Sequence, residues 1–479
     1  MDKSEPRLDR ASSIDLAARG SETLSRYGLI VLLSGFAMTI ADTFIVNVAL
    51  DTIKVSLGAS PAMLSLVVAG YGVSYSLGLV LAGRFGDSFG RARLFVIGVA
   101  GFTLASVVCG LAGSPLILVG ARIIQGLAAA LMVPQVLGTV QATTEGDRKT
   151  RAIALYGSAA GIAAVAGQII GGLLLEADLF GTSWRMLFLI NVPIGIWILL
   201  SSRSVPESRS PQPLGIDTVG TVTFAVALAS LLLVIVGGPP LGWPWWLLIA
   251  LAVSMLLAAA LYIYEHSLER SGKAPLLPPA VLSIPSVHRG LASMVVFSLG
   301  FGGFLYVYAI VTQQMLGFSG LKSGLILVPF ASAFFLVSLA TQKIVKVLGV
   351  RIITVGAAIQ GLGITLLAVT FADQWGDPSI VVLVLILGLI GVGQGLIGPT
   401  LFRVILSRVP IASAGMASGV VVTSQQAATA VGAAGGGALI AVLGSHFSGG
   451  AIAAACFAAL AGVSVLTLLS SLALPQLDK

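Results

Sequence analysis

The chain has 479 residues, of which 57% are hydrophobic and only 9% charged, with a formal net charge of +7. Soluble domains carry about 25% charged residues, so a soluble globular protein is excluded. The apolar residues come in runs of about 20 or more, long enough to cross ~30 Å of hydrocarbon as helices, and they lack the alternation over ~10 residues that barrel strands need.

Residues 1–26 are polar and basic. Residues 12–26 read either as a short amphipathic helix on the membrane or as a plain tail. A long polar segment ahead of the first apolar run argues against a signal peptide. Spans follow near 27–49, 62–83, 92–112, 115–141, 150–174 and 184–202, giving an N-terminal bundle over 27–202. A linker over 203–287, with Pro206, Pro211 and Pro213 early and Pro275, Pro278, Pro279 and Pro285 late, holds two extra spans near 217–237 and 244–264. Six more spans near 288–314, 320–342, 350–371, 379–406, 413–443 and 450–474 form a C-terminal bundle over 288–474, and 475–479 is a tail. The expected fold is all-α, fourteen transmembrane helices arranged six, two and six.

Placing the N-terminus inside puts 22 of the 26 Lys and Arg residues on the inner side. Lys54, Arg185 and Lys322 fall outside, and Arg122 lies within a span. That asymmetry sets both termini in the cytoplasm of a multi-pass cell-membrane protein. Trp184, Trp243, Trp245, Trp246 and Trp375 fall at outer span edges as an aromatic belt, and Trp197 lies inside a span. Basic residues distributed this way are topology signals and lipid-headgroup contacts, which argues against a nucleic-acid partner. Cys109 and Cys456 sit in separate apolar runs as packing residues.

Charges deep inside the spans are scarce, and the clear cases are Asp42 and Arg122. A membrane-buried charge costs at least ~2.5–3.5 kcal/mol, so each is a functional candidate. Asp42 lies roughly 22 Å from the inner edge and Arg122 roughly 9 Å from the outer edge, at similar depth in a ~30 Å core. They either pair or share a water-filled cavity. Asp42 reads as a proton-titrating carboxylate or as a permanently paired structural one; the functional reading carries more weight, while Arg122 stands evenly between the two.

Small residues offer a second signal. Gly157, Gly161, Gly167, Gly171 and Gly172 share one span, Gly432, Gly435, Gly436 and Gly437 another, and Gly391, Gly393, Gly395 and Gly398 precede Pro399. These spacings allow close helix packing or sliding. Polar residues within the spans supply the candidate substrate cavity: Asn47, Tyr71, Gln125, Gln168, Tyr306, Gln313, Gln314 and Gln425. Gln135, Gln360, Gln394 and Gln426 are further polar positions. His266, His288 and His446 lie near span ends, and no metal pair, nucleophile triad or phosphate loop is present, so neither an enzyme nor an ATP-driven pump is indicated.

The stretch Gly83-Arg-Phe-Gly-Asp-Ser-Phe-Gly-Arg-Ala-Arg93 resembles the signature loop of the major facilitator superfamily. Ala41-Asp-Thr-Phe-Ile-Val-Asn-Val-Ala-Leu50 is similar to the first-span motif of its fourteen-span drug:proton antiporters, the QacA/EmrB-like group. Arg122-Ile-Ile-Gln-Gly126, the glycines from Gly161 to Gly172, the stretch Trp184 to Gly195, and Ala414 to Gly419 with Thr423, Gln425 and Gln426 resemble further motifs. The resemblance implies two six-helix bundles rocking about a midplane site. It implies proton coupling at Asp42 and Arg122. It also implies a latch of Gly83, Asp87, Gly90, Arg91 and Arg93, and helix packing by Gly161, Gly167, Gly171 and Gly172. Gln168 and Asp51 stand where the motifs have proline. In the second-half loop Gln342 to Arg351, Lys346 stands where Asp87 would align.

The expected function is export of hydrophobic, neutral, zwitterionic or monocationic small molecules by a monomer in exchange for protons. The proton gradient supplies the energy, lipids and substrate are the partners, and no cofactor or metal takes part. The alternative is a dedicated exporter of one self-made metabolite, antibiotic or lipid. Proton-driven uptake, a membrane-embedded enzyme and a transport-dead sensor rank below both.

Overall fold

A computed structural model describes residues 23–209, 217–271, 275, 279–409, 414–444 and 447–475. The N-terminal tail through residue 22, with its amphipathic alternative, and the tail from residue 476 lie outside these residues, as do Pro211, Pro213 and Pro278. Among the described residues all regular structure is helical.

Helix α1 (Arg26–Ile45) is capped by Ser25, whose hydroxyl accepts from the Gly28 amide at 2.9 Å. It passes through a 3₁₀ turn, Val46–Ala49, into α2 (Leu50–Leu57), which stops at Gly58 in the left-handed region, φ +60°. Ser60 and Ser114 cap α3 (Pro61–Phe89) and α5 (Pro115–Thr143), each with proline at the first helical position, where the missing amide hydrogen costs nothing. Between them lies α4 (Arg91–Gly110), and α6 (Gly146–Ala177), α7 (Met186–Leu189) and α8 (Asn191–Ser201) complete the first group.

The linker region holds α9 (Thr218–Leu241), α10 (Trp246–Arg270) and the short α11 (Pro279–Leu282). The second group is α12 (Pro285–Ala309), extended by a π-helical turn Ile310–Met315, then α13 (Gly320–Leu348), α14 (Arg351–Asp373), α15 (Ile380–Leu406), α16 (Ala414–Gly444) and α17 (Gly449–Leu472).

Twelve helices among the described residues are each long and apolar enough to cross a membrane, or thirteen when the two parts of α3 count as one span. The parts of α3, Leu66–Leu79 and Leu81–Phe89, meet at 49°. The Ser74 and Ser76 hydroxyls bond back to the carbonyls of Gly70 and Gly72, a local competition that bends helices. The expected span near 217–237 coincides with α9, whose apolar stretch Val219–Leu231 is shorter than the other spans.

Within the first group α3 and α4 pack on α5, and α1 on α6; within the second α12 packs on α16, α13 and α14 on α15, and α14 on α17. Two seams join the groups, α6 against α13 and α3 against α16, and α9 covers the second by touching both of its helices. Trp184 departs from the expected interfacial belt. It is fully buried against Phe188, because the turns around it fold it into the core with Ile45, Val46 and Leu118. Trp243 and Trp245 stay exposed.

Candidate functional site

The motif Arg122-Ile-Ile-Gln-Gly126 puts three residues on one face of α5, since positions i, i+3 and i+4 of a helix stack. Gly126 lets α5 approach α3: a Cβ there would stand 2.4 Å from the Tyr71 carbonyl oxygen. Arg122 and Gln125 then reach Asp42 of α1, and all three side chains are buried. The Arg122 Nη1 donates to Asp42 Oδ2 and, at 2.8 Å, to Gln125 Oε1, while its Nε donates to the Val67 carbonyl at 3.2 Å. Asp42 Oδ1 accepts from Gln125 Nε2 at 3.1 Å and from Asn191 Nδ2 at 2.8 Å. Gln125 Nε2 also donates to Ser106 Oγ at 2.8 Å. Above the guanidinium the Tyr71 ring lies 4.3 Å away, and the Tyr71 hydroxyl donates to the Thr39 carbonyl at 3.0 Å. Five elements thus converge on one ion pair, the condition for holding two charges out of water.

The α3–α4 turn is a second constellation. Gly90 takes φ +108°, which favours glycine, and joins the two helices without a loop. Arg91 bonds Asp87 at 2.6 Å. The segment after α8 folds back over the turn. The Glu207 carboxylate accepts from the Ala92 and Arg93 amides at 3.1 and 3.2 Å, and the Arg91 amide donates to the Ser208 carbonyl at 3.0 Å. A carboxylate at a helix N-terminus satisfies open amides and the helix dipole together. Gly86 packs on Gln135, whose Nε2 donates to the Ala82 carbonyl at 2.8 Å; Gly83 has open space where a Cβ would stand.

Residues 32–433 match the Major Facilitator Superfamily. The chain belongs to that family. It is similar to the probable actinorhodin transporter of Streptomyces coelicolor, 33% identical over 421 residues that cover 88% of this chain and 72% of that protein. It is similar also to the multidrug resistance protein Stp of Mycobacterium tuberculosis, 31% identical over 424 residues covering 87% and 77%. Its fold resembles that of the proton:xylose symporter XylE, with a TM-score of 0.64 at 16% identity over 92% of this chain and 94% of that one. Like other superfamily members it is a multi-pass protein of the cell membrane.

The remaining expected site residues of this superfamily member fall in several places. Tyr71 and Gln125 belong to the Asp42 cluster, not to a cavity between helix groups, because their polar atoms are turned toward Arg122 and Thr39. Gln168 is buried in α6, with neither amide atom bonded. Asn47 lies in the 3₁₀ turn and its Oδ1 is likewise unbonded. Gln313 and Gln314 stand in the π-helical turn, Tyr306 one turn before it against Gly437, and Gln425 on α16. Gly167 and Gly171 of α6 meet Ala41 and Ile45 of α1, while Gly161 and Gly172 meet Phe334 and the Gly320–Leu321 backbone of α13. Lys346 and Arg351 of the second-half turn are exposed.

Ser106, Glu207 and Ser208 join these sites without a motif to announce them, and Asn191 joins from within the Trp184–Gly195 stretch. Asn191 had a usable signal, a polar side chain inside an apolar run. Glu207 had none, since an acidic residue in a proline-bearing loop looks like any other.

Proposed function

We propose that this chain is a proton-coupled antiporter that exports hydrophobic small molecules, neutral, zwitterionic or monocationic, by alternating access. In this reading fourteen spans are arranged as six, two and six, with both termini and the α3–α4 turn in the cytoplasm. The observation that carries it is the buried Asp42–Arg122 pair. A carboxylate kept in the membrane interior needs a reason, and gaining and losing a proton is one.

The geometry suggests how. Arg122 also donates to Gln125 and to the Val67 carbonyl, so it keeps partners when Asp42 becomes neutral. Asp42 in turn keeps the Gln125 and Asn191 amides. Gly167 of α6 packs on Ala41, next to Asp42, and the same helix meets α13 through Gly161 and Gly172. Swinging the second group therefore moves α6 against the backbone that carries the acid. In the proposed cycle Asp42 is protonated from outside, substrate leaves, the molecule turns inward, Asp42 loses its proton and substrate binds.

The name of the actinorhodin transporter favours a second reading, a dedicated exporter of one antibiotic, while that of the multidrug resistance protein Stp favours the broad one. Transport into inverted vesicles with an imposed pH gradient tests both. Wild type is expected to accumulate substrate as protons leave, and Asp42→Asn to lose the dependence on the gradient. Full gradient-driven transport by Asp42→Asn would remove Asp42 from the mechanism. A panel of chemically diverse substrates separates the broad exporter from the dedicated one.

A further inference from the structure

Gln168 stands in α6 four residues before Gly172 and seven after Gly161, spacings that put all three on one helix face. Gly161 packs on Phe334 and Gly172 on the Gly320–Leu321 backbone, so that face forms the α6–α13 seam between the two helix groups. The next residue, Ile169, meets Gly324 of α13, its Cα 3.1 Å from where a Cβ on that glycine would stand. Gln168 is 1% exposed, and neither its amide oxygen nor its amide nitrogen has a hydrogen-bond partner among the described residues. The polar side chains that follow Leu321 on α13 are committed elsewhere. The Ser323 hydroxyl pairs with Thr312 at 2.7 Å, and the Lys322 ammonium lies 3.7 Å from the centre of the Phe318 ring. Asn47 is a second case at the same seam. It precedes Val48, whose Cγ1 is 2.5 Å from where a Cβ on Gly320 would stand, and its Oδ1 is buried and unbonded.

A glutamine amide offers two donors and two acceptor lone pairs. A buried polar group left unbonded bears its full desolvation cost, and folded proteins carry few such groups. Here the cost falls on one arrangement only. Gly161 and Gly172 bring α6 against α13 closely enough to shut the seam over the amide. Parting of α6 and α13 opens that same face to water, where both amide atoms find partners.

We propose that Gln168 is a conformational bias built into the seam: its unbonded amide disfavours the closed arrangement and so favours parting of the two groups at this end. The inference rests on the alternating-access reading, but neither on Asp42 nor on the identity of the substrate. An apolar side chain of similar size would fill the space without the unmet hydrogen bonds. The glutamine therefore holds the closed and open arrangements closer in free energy than leucine would, and a small gap is what lets a proton or a substrate shift the balance.

The test places spin labels on Glu176→Cys, in the exposed last turn of α6, and Asp377→Cys, in the exposed turn before α15, using the full chain in lipid nanodiscs. Cys109 and Cys456 are buried and stay unlabelled. The distances between labels give the ratio of closed to open seam. Wild type is expected to show two distances, and Gln168→Leu to raise the closed-to-open ratio about tenfold, a change within the cost of one unbonded buried group. Gln360→Leu is the control. Gln360 is 2% exposed with an unbonded Oε1, but it packs on Gly393 of α15, inside the second group. Its ratio should match that of wild type. An unchanged or lower ratio in Gln168→Leu, or an equal rise in Gln360→Leu, overturns the proposal and leaves alternating access standing. A single distance in wild type at neutral and acidic pH alike overturns both. Should Gln168→Leu fail to fold, Gln168→Met, of nearly the same length and without the amide, decides.

Discussion

Arg122 and Asp42 share one environment, yet losing either should not cost the same. Arg122→Leu leaves a carboxylate facing two amides in a dry interior, and breaking a buried pair from one side costs about 3–5 kcal/mol. Combining it with Asp42→Asn removes the stranded charge. The double variant is therefore expected to melt above Arg122→Leu alone in a detergent thermal-shift assay; a lower melting temperature would mean that the stranded carboxylate is not what weakens the single variant. Asn191→Ala should cost less, about 1–3 kcal/mol, because it deletes one of several donors. At this scale the sequence was readable where a charge interrupts an apolar run, as at Asp42 and Arg122. Ser106 gives no such signal, and Asn191 a weaker one, because uncharged polar residues recur throughout the spans. Glu265 and Asp217, both buried, give none because an acid at a span edge is indistinguishable from one in a loop until the helices around it are placed.

The turn between α3 and α4 shows how an element ends. The sequence places the end of that span near residue 83, ahead of Arg84 and Asp87, yet α3 runs to Phe89. The helix continues because Arg84 is buried against Pro275 with Asp217 and Glu265 beside it, so its charge no longer marks an edge. At Gly90 a methyl would stand 2.7 Å from the Glu207 carboxylate in a backbone conformation that already disfavours side chains. Gly90→Ala is expected to displace the 205–208 segment, loosening the backbone between Arg203 and Arg209, whose side chains are already exposed, and so to speed trypsin cleavage there in inverted vesicles. Cleavage at the wild-type rate would show that the segment holds without Gly90. In α6 the spacing of glycines announced close contact. It did not say that Gly167 would face α1 while Gly172 faces α13, since small residues fit many partners equally well.

Across the molecule the two helix groups touch at the end remote from the α3–α4 turn. Phe44 of α1 and Phe301 of α12 meet edge to face with ring centroids 6.4 Å apart, and Gly172 closes on the backbone at Gly320. This contact must open if the groups rock. Phe44→Cys with Phe301→Cys, joined by a short bifunctional maleimide, should stop transport, while the unlinked double variant remains active. Cys109 and Cys456 are both buried and should not compete for the reagent. Transport unaffected by the link would exclude rocking at this seam. The family and the all-helical class were legible because their motifs and apolar runs are local in the chain. The seams were not, because they join residues far apart whose side chains carry no sign of their partner. The hydrogen bond from Ala92 to Glu207 spans 115 residues. During synthesis the start of α4 must therefore wait, uncapped, until the helices from Pro115 to Ser204 have emerged before its last amides are covered. A nascent chain arrested short of residue 205 therefore carries the start of α4 without the carboxylate that caps it in the finished fold.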